Sequence, residues 1–166
     1  MKIRLLIATF VLVGIITIPN TARAFDVTDT SAIRLTPNHV LLTVTYEFGF
    51  LNRELLMPIM ADRTSERRGE TVGYTLTGSN GEVITAGDTA AIVLSTTELR
   101  DDQYYLPRGR NGDFTLVALV RTTGIVDEFK LSFTRLPFTL IDGTVTATAA
   151  VTAAQLEADY QTDLVR

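Results

Sequence analysis

The chain has 166 residues, no cysteine and no tryptophan, and 15 basic against 19 acidic side chains, a net charge of −4. That balance excludes the basic footprint that nucleic-acid phosphates or an anionic membrane surface demand. The missing cysteines exclude thiol catalysis, disulfide exchange and thiolate-held zinc or iron–sulfur clusters.

Residues 1–24 read as a cleavable secretory signal. Lys2 and Arg4 form a positive start, Leu5 to Ile18 is an uncharged apolar run, and Pro19-Asn20 breaks it. Ala22 and Ala24 place small residues where a signal peptidase reads, so the expected cut leaves Phe25 as the new N-terminus. The apolar run is shorter than the ~20 residues of a spanning helix, although an uncleaved anchor is the alternative. With Lys2, Arg4 and Arg23 removed and no acidic residue lost, the processed chain has 12 basic and 19 acidic residues, a net charge of −7. The expected location is periplasmic or secreted, with no membrane span after cleavage.

The remaining roughly 140 residues suffice for one domain with its own core, and a secreted domain of that size needs no disulfides. Residues 25–151 are expected to form that domain. A first strand is expected near Ala32–Leu35. Val40, Leu42, Val44, Tyr46 and Phe48 then alternate with Thr43, Thr45 and Glu47, the pattern of a half-buried antiparallel strand. Leu55 to Met60 reads as a strand continuing past a bulge at Gly49, with Pro58 placing it on a sheet edge. Asp62 to Arg68 reads as a solvated loop. Val72, Tyr74 and Leu76 alternate next, and Gly78-Ser79-Asn80-Gly81 is a hairpin turn into Glu82–Thr85. After a turn at Ala86-Gly87-Asp88, Ala90, Ile92 and Leu94 alternate.

Tyr104–Pro107 leads through a turn at Arg108–Asp113 into Phe114–Arg121. Both faces of that last strand are largely apolar, which predicts a central strand covered on both sides. Phe129, Leu131 and Phe133 alternate with Lys130, Ser132 and Thr134. Asp142-Gly143 turns the chain into Thr144–Val151. Short strands with turns between them and no intervening helix predict an antiparallel β-sandwich of seven to nine strands. In residues 152–166, the capping pattern Thr152-x-x-Gln155 predicts a short C-terminal helix or a tail.

Sites of chemistry are scarce, and no catalytic, cofactor-binding or metal-binding residue is assigned. His39 is the only histidine, so any Ser/His/Asp triad must use it. No Gly-x-Ser-x-Gly elbow accompanies it, and a turn histidine is the simpler reading. One histidine without cysteine makes a poor zinc set. Asp26, Asp29, Asp88, Asp101, Asp102, Asp113, Asp127 and Glu128 are expected at loops, where a hard cation could find oxygen ligands, yet no calcium-loop motif organises them. Gly109 to Gly112 lacks the Lys and the helix of a phosphate loop. Arg108 and Arg110 read as turn chemistry with Asp113, and Arg63, Arg67 and Arg68 as a solvated cluster interrupted by Glu66 and Glu70.

The block Tyr104-Tyr105-Leu106-Pro107-Arg108-Gly109, followed by Asp113 to Leu119, resembles a stretch common in bacterial immunoglobulin-like and fibronectin-III-like domains. The Cys…Trp…Cys hallmark of true immunoglobulin domains has no counterpart here. The resemblance implies an immunoglobulin-like sandwich, an architecture that serves adhesion, assembly or binding. The expected function is an exported, non-enzymatic protein that binds another protein or a cell-surface polymer, with no cofactor. Two alternatives stand beside it: a subunit assembling by strand addition through a Phe25–Thr30 arm, and a hydrolase or calcium-dependent module. The oligomeric state is left open.

Overall fold

The computed structural model describes residues 25–49, 51–63, 71–125, 128–152 and 161–165, which contain eleven strands and no helix. The signal segment, with Ala22 and Ala24, lies outside them, as do Arg67, Arg68, Asp127 and residues 153–160 of the expected C-terminal helix. The strands are β1 (Phe25–Thr36), β2 (His39–Phe48), β3 (Glu54–Pro58), β4 (Ala61–Asp62), β5 (Val72–Gly78), β6 (Asp88–Ser95), β7 (Glu98–Arg100), β8 (Gln103–Leu106), β9 (Gly112–Arg121), β10 (Phe129–Asp142) and β11 (Val145–Thr152). The count exceeds the expected seven to nine because β4 and β7 are too short to leave a periodic trace.

The strands form two sheets around one core. The smaller sheet has the order β1-β2-β9-β6, with every pair antiparallel. The larger follows β4-β5-β10-β3-β8-β7, with β11 also on β10 and a parallel β4/β5 pair. Alternation explains the layering. Val40, Leu42, Val44, Tyr46 and Phe48 of β2 are all buried, as are Phe114, Leu116, Ala118 and Val120 of β9. From the other sheet come Leu55, Met57, Tyr74, Leu76, Leu131 and Phe133. Rings join the layers: Tyr46 meets Phe133 edge-on at 5.5 Å, and Phe48 meets Phe138 at 5.6 Å. Such aromatic contacts add to the apolar area they bury.

Several expectations need correction. Residues 25–30 are no free arm, because β1 pairs with β2 from Phe25 opposite Phe48 onward. Glu54–Pro58 does not continue β2. The chain leaves the smaller sheet after Phe48, and β3 lies between β10 and β8 in the larger one. Pro58 is accommodated because the β3/β10 ladder spans only Glu54 to Leu56, so its missing N–H lies beyond that ladder. Residues 82–85 are not a strand. Val83 makes only an isolated bridge to Thr77, and Asn80 Oδ1 accepts the Glu82 amide within the turn. The expected turn after Pro107 is present, closed by the Arg110 amide donating to the Pro107 carbonyl at 3.2 Å, and it carries the chain from one sheet to the other, but Arg108 pairs with Asp142 at 2.9 Å rather than with Asp113.

β10 organises the larger sheet. Its first half pairs with β5, and its second half has β3 on one edge and β11 on the other. Gln161 and Val165 bridge to Ser132 and Phe129, so the chain beyond residue 160 returns along β10 opposite β5. Thr162, 3% exposed, seals this return, its amide donating to the Leu131 carbonyl and its Oγ1 accepting the Leu131 amide.

Candidate functional site

The outward face of the smaller sheet is the least ordinary surface of the described residues. Inward burial of the even-numbered residues of β2 and β9 sends the odd-numbered ones outward. The ladders then fix rows across the sheet. Ile33, Leu41, Leu119 and Ala90 form one row, and Ser31, Thr43, Val117 and Ile92 the next, with Met60 bridged to Ile92 at its end. Asp29, Thr45, Thr115 and Leu94 follow.

These apolar side chains stand in solvent: Ile33 is 51% exposed, Leu119 39%, Ile92 40%, Leu94 48% and Met60 61%. Exposed apolar side chains set in adjacent rows are uncommon on the surface of a folded domain. The threonines between them are tied to each other. Thr45 and Thr115 hydroxyls lie 3.0 Å apart, as do those of Ser31 and Thr43. That pairing lowers the cost of covering them, since each has a partner before any ligand arrives.

Charge is confined to the two ends. Asp26, Glu47 and Asp113 share one end row, with Asp29 beside it. At the opposite end lie His39 and Arg121, with Asp88 3.7 Å from Arg121. Four of the carboxylates expected at loops (Asp26, Asp29, Asp88 and Asp113) are thus strand residues at the margins of this face. Asp101 and Asp102 instead form the two-residue turn between β7 and β8, both with positive φ. Among the described residues no three of His, Asp and Glu gather into a group that could hold a metal.

His39 opens β2, and its Nδ1 lies 3.0 Å from Thr36 Oγ1 within the β1–β2 turn. Arg63 is drawn into the structure rather than left in solvent. Its guanidinium donates to the carbonyls of Ile84, Ala86 and Gly87, holding the irregular segment before β6. Partial burial lowers its pKa somewhat, and a guanidinium stays charged regardless. Two open clefts lie along the side of the sandwich. One of ≈ 480 Å³ lies between Val27–Thr30 and Gln161–Asp163, and one of ≈ 490 Å³ holds Arg34, Asn38, Thr122 and Glu128. Neither contains His39.

The sequence pattern marked β9 as apolar on both faces but not that one face is left bare. The pattern of β6 pointed the other way. There Ala90, Ile92 and Leu94 look like a core set, yet the ladder turns them outward and Val93 inward. Among the described residues no helix is long and apolar enough to cross a membrane. No family model, curated protein or solved structure matches the chain.

Proposed function

We propose that this is an exported, non-enzymatic β-sandwich of immunoglobulin-like type that acts by binding a protein partner through the outer face of its four-stranded sheet. The observation that carries the reading is the row-by-row exposure of Ile33, Leu119, Ile92 and Leu94 on the outer face of the four-stranded sheet. A polysaccharide or an anionic polymer would be met by hydrogen-bonding or cationic groups, whereas the centre of this face offers Ile, Leu, Val and paired Thr. Protein interfaces have that apolar centre and polar rim. Binding is favoured over catalysis because His39 is engaged in a turn with Thr36 and faces neither cleft.

A face is favoured over strand addition for a structural reason. Register shifts at Val27/Asp29 and Arg34/Thr36 interrupt the edge strand β1, and bulges of this kind blunt an edge against pairing. Along the other edge, Ile59 already accepts the Val93 amide at 2.7 Å.

The test is site-specific photocrosslinking in cells exporting the protein, with the crosslinker at Thr43 or Val117 and a control at Thr144 on the exposed β10–β11 turn. Discrete protein adducts from Thr43 and Val117 but not from Thr144 are expected. Adducts from none of the three, or equally from all, overturn the reading. The exported form is expected to have the intact mass of a chain starting at Phe25, and retention of residues 1–24 refutes processing at that site.

A further inference from the structure

We infer that the edge of β10 left uncovered by β11 is a strand-accepting groove, filled here by residues 161–165 of the same chain and open to takeover by an extended segment of a second protein. The site is separate from the outer face of the four-stranded sheet. β5 lines one edge of the first half of β10, and β11 covers the other edge only from Arg135 onward. Residues 129–132 therefore present an edge that no named strand pairs, and Gln161–Val165 lies along it. Such an edge offers main-chain donors and acceptors to any extended segment.

The native occupant fits imperfectly, and the misfit defines the site. From Ser132 to Phe129 is three steps along β10, but from Gln161 to Val165 is four, so the occupant carries one surplus residue. Val165 makes a regular pair. Its amide donates to the Phe129 carbonyl at 2.7 Å, and its carbonyl accepts the Phe129 amide at 3.1 Å. At Leu131 the pattern breaks, because the Leu131 amide donates to the Thr162 hydroxyl at 3.1 Å instead of to a carbonyl. In a regular antiparallel strand one residue serves both the amide and the carbonyl of its opposite. The surplus residue also leaves Asp163 and Leu164 both exposed, with Thr162 and Val165 buried.

The occupant is lightly held. Ordering five residues opposes docking through backbone entropy, while the side chains it buries are one threonine and one valine. Open clefts border it along its length. One of ≈ 480 Å³ separates Gln161–Asp163 from the β1 bulge at Val27–Thr30, and one of ≈ 490 Å³ adjoins Val165 and Phe129. Few buried contacts and adjoining solvent are the marks of a segment that opens locally. Beneath it the groove is apolar, with Phe129 2% and Leu131 0% exposed, so an opened groove favours a replacement strand. The partner segment runs antiparallel to β10, with a β-branched apolar side chain at the Val165 position and a carbonyl opposite the Leu131 amide. Lacking the surplus residue, it completes the ladder and displaces the native occupant.

Native-state amide exchange on the full chain in rising, subdenaturing urea is the first test. The amides of Phe129, Leu131, Thr162 and Val165 should exchange about a hundredfold faster than those of β2 and β9, with little urea dependence. Exchange of these four only through global unfolding overturns the inference. The second test uses a labelled synthetic peptide of residues 160–166. The full chain carrying Val165→Glu, which lifts the occupant, should bind this peptide about tenfold or more tightly than wild type does. The same peptide with Asp163 omitted should bind more tightly still, and weaker binding by it shows that a regular strand cannot take over. Equal binding by wild type and variant, or none by a variant whose circular dichroism matches wild type, also overturns the inference. Should Val165→Glu fail to fold, the exchange of the wild-type amides decides alone. A wild-type dimer on sedimentation that exchanges this strand between copies gives the groove to a second copy and overturns a separate partner.

Discussion

Tyr46 is a fully buried side chain of the core. Its ring stacks on Phe114 at 5.8 Å and meets Phe133 edge-on, yet its hydroxyl is fully buried and has no hydrogen-bond partner among the described residues. An unsatisfied buried hydroxyl costs about 1–3 kcal/mol. Tyr46→Phe keeps the ring contacts and removes that cost, so urea unfolding should show a gain of about 1 kcal/mol. Burial also pushes the Tyr46 phenol far above its ordinary value of 10.0, and burial raises that of Tyr74 as well. A folded pKa above the unfolded one means stability is intact below pH 10.0 and falls as the unfolded chain ionises above it. Tyr46 alone should contribute a loss of about 1.4 kcal/mol per pH unit there. The Phe variant should show a shallower alkaline decline in melting temperature, and an identical slope contradicts the assignment.

At the scale of elements, the segment between β5 and β6 depends on a side chain from elsewhere in the chain. Residues 84–87 make no ladder, and their carbonyls at Ile84, Ala86 and Gly87 are collected by the Arg63 fork. Gly87 has φ +80°, and a Cβ there would lie 2.6 Å from the Arg121 carbonyl oxygen, so this loop is held close under β9. Arg63→Ala should cost about 1–3 kcal/mol by thermal melting, with faster amide exchange concentrated at residues 84–87. Arg63→Lys should recover little, because a point donor cannot serve three carbonyls as a planar fork does. Unchanged exchange in both variants would show that the loop holds itself.

The long strands were legible in the sequence for the same reason that the short ones and Arg63 were not. Period-two alternation in β2, β5 and β10 reports which face meets the core, and each of those strands buries the residues its pattern named, whereas β9 is central as expected but covered on one face only, with Leu119 left 39% exposed on the other. In β6 the same rule misleads. Ala90, Ile92 and Leu94 out-weigh Ala91 and Val93 in apolar bulk, so the pattern names the outward set as the core. Where a chain crosses between sheets, at residues 49–53 and 107–111, periodicity carries no information. Gly109 N–H to Leu51 O at 2.9 Å, and Arg53 and Arg108 converging on Asp142, are contacts between segments far apart in sequence. The candidate site was half legible: β9 announced two apolar faces, and only the ladder revealed their neighbours.

At the scale of the whole molecule, the two sheets are one cooperative object. The buried rings of Tyr46, Phe48 and Phe114 from one sheet interlock with Phe133 and Phe138 from the other. Phe133→Ala should lower stability by about 3–5 kcal/mol through the cavity it opens. Near-ultraviolet and far-ultraviolet circular dichroism should still fall together in one transition, because among the described residues each sheet covers its inner face with the other. Two separate transitions would show that the sheets are independent.

The place of β10 in this architecture has a kinetic consequence. A ribosome delivers β3, β5 and β8 long before residues 129–142, yet β5 and β3 have no direct ladder to one another and are joined only through β10. The β1–β2 hairpin can zip locally, while the larger sheet must wait, with Leu55, Met57, Tyr74 and Leu76 uncovered, until its spine arrives. Topologies dominated by such distant pairings fold in milliseconds to seconds rather than microseconds. During that interval the chain is vulnerable to aggregation through its unpaired strands.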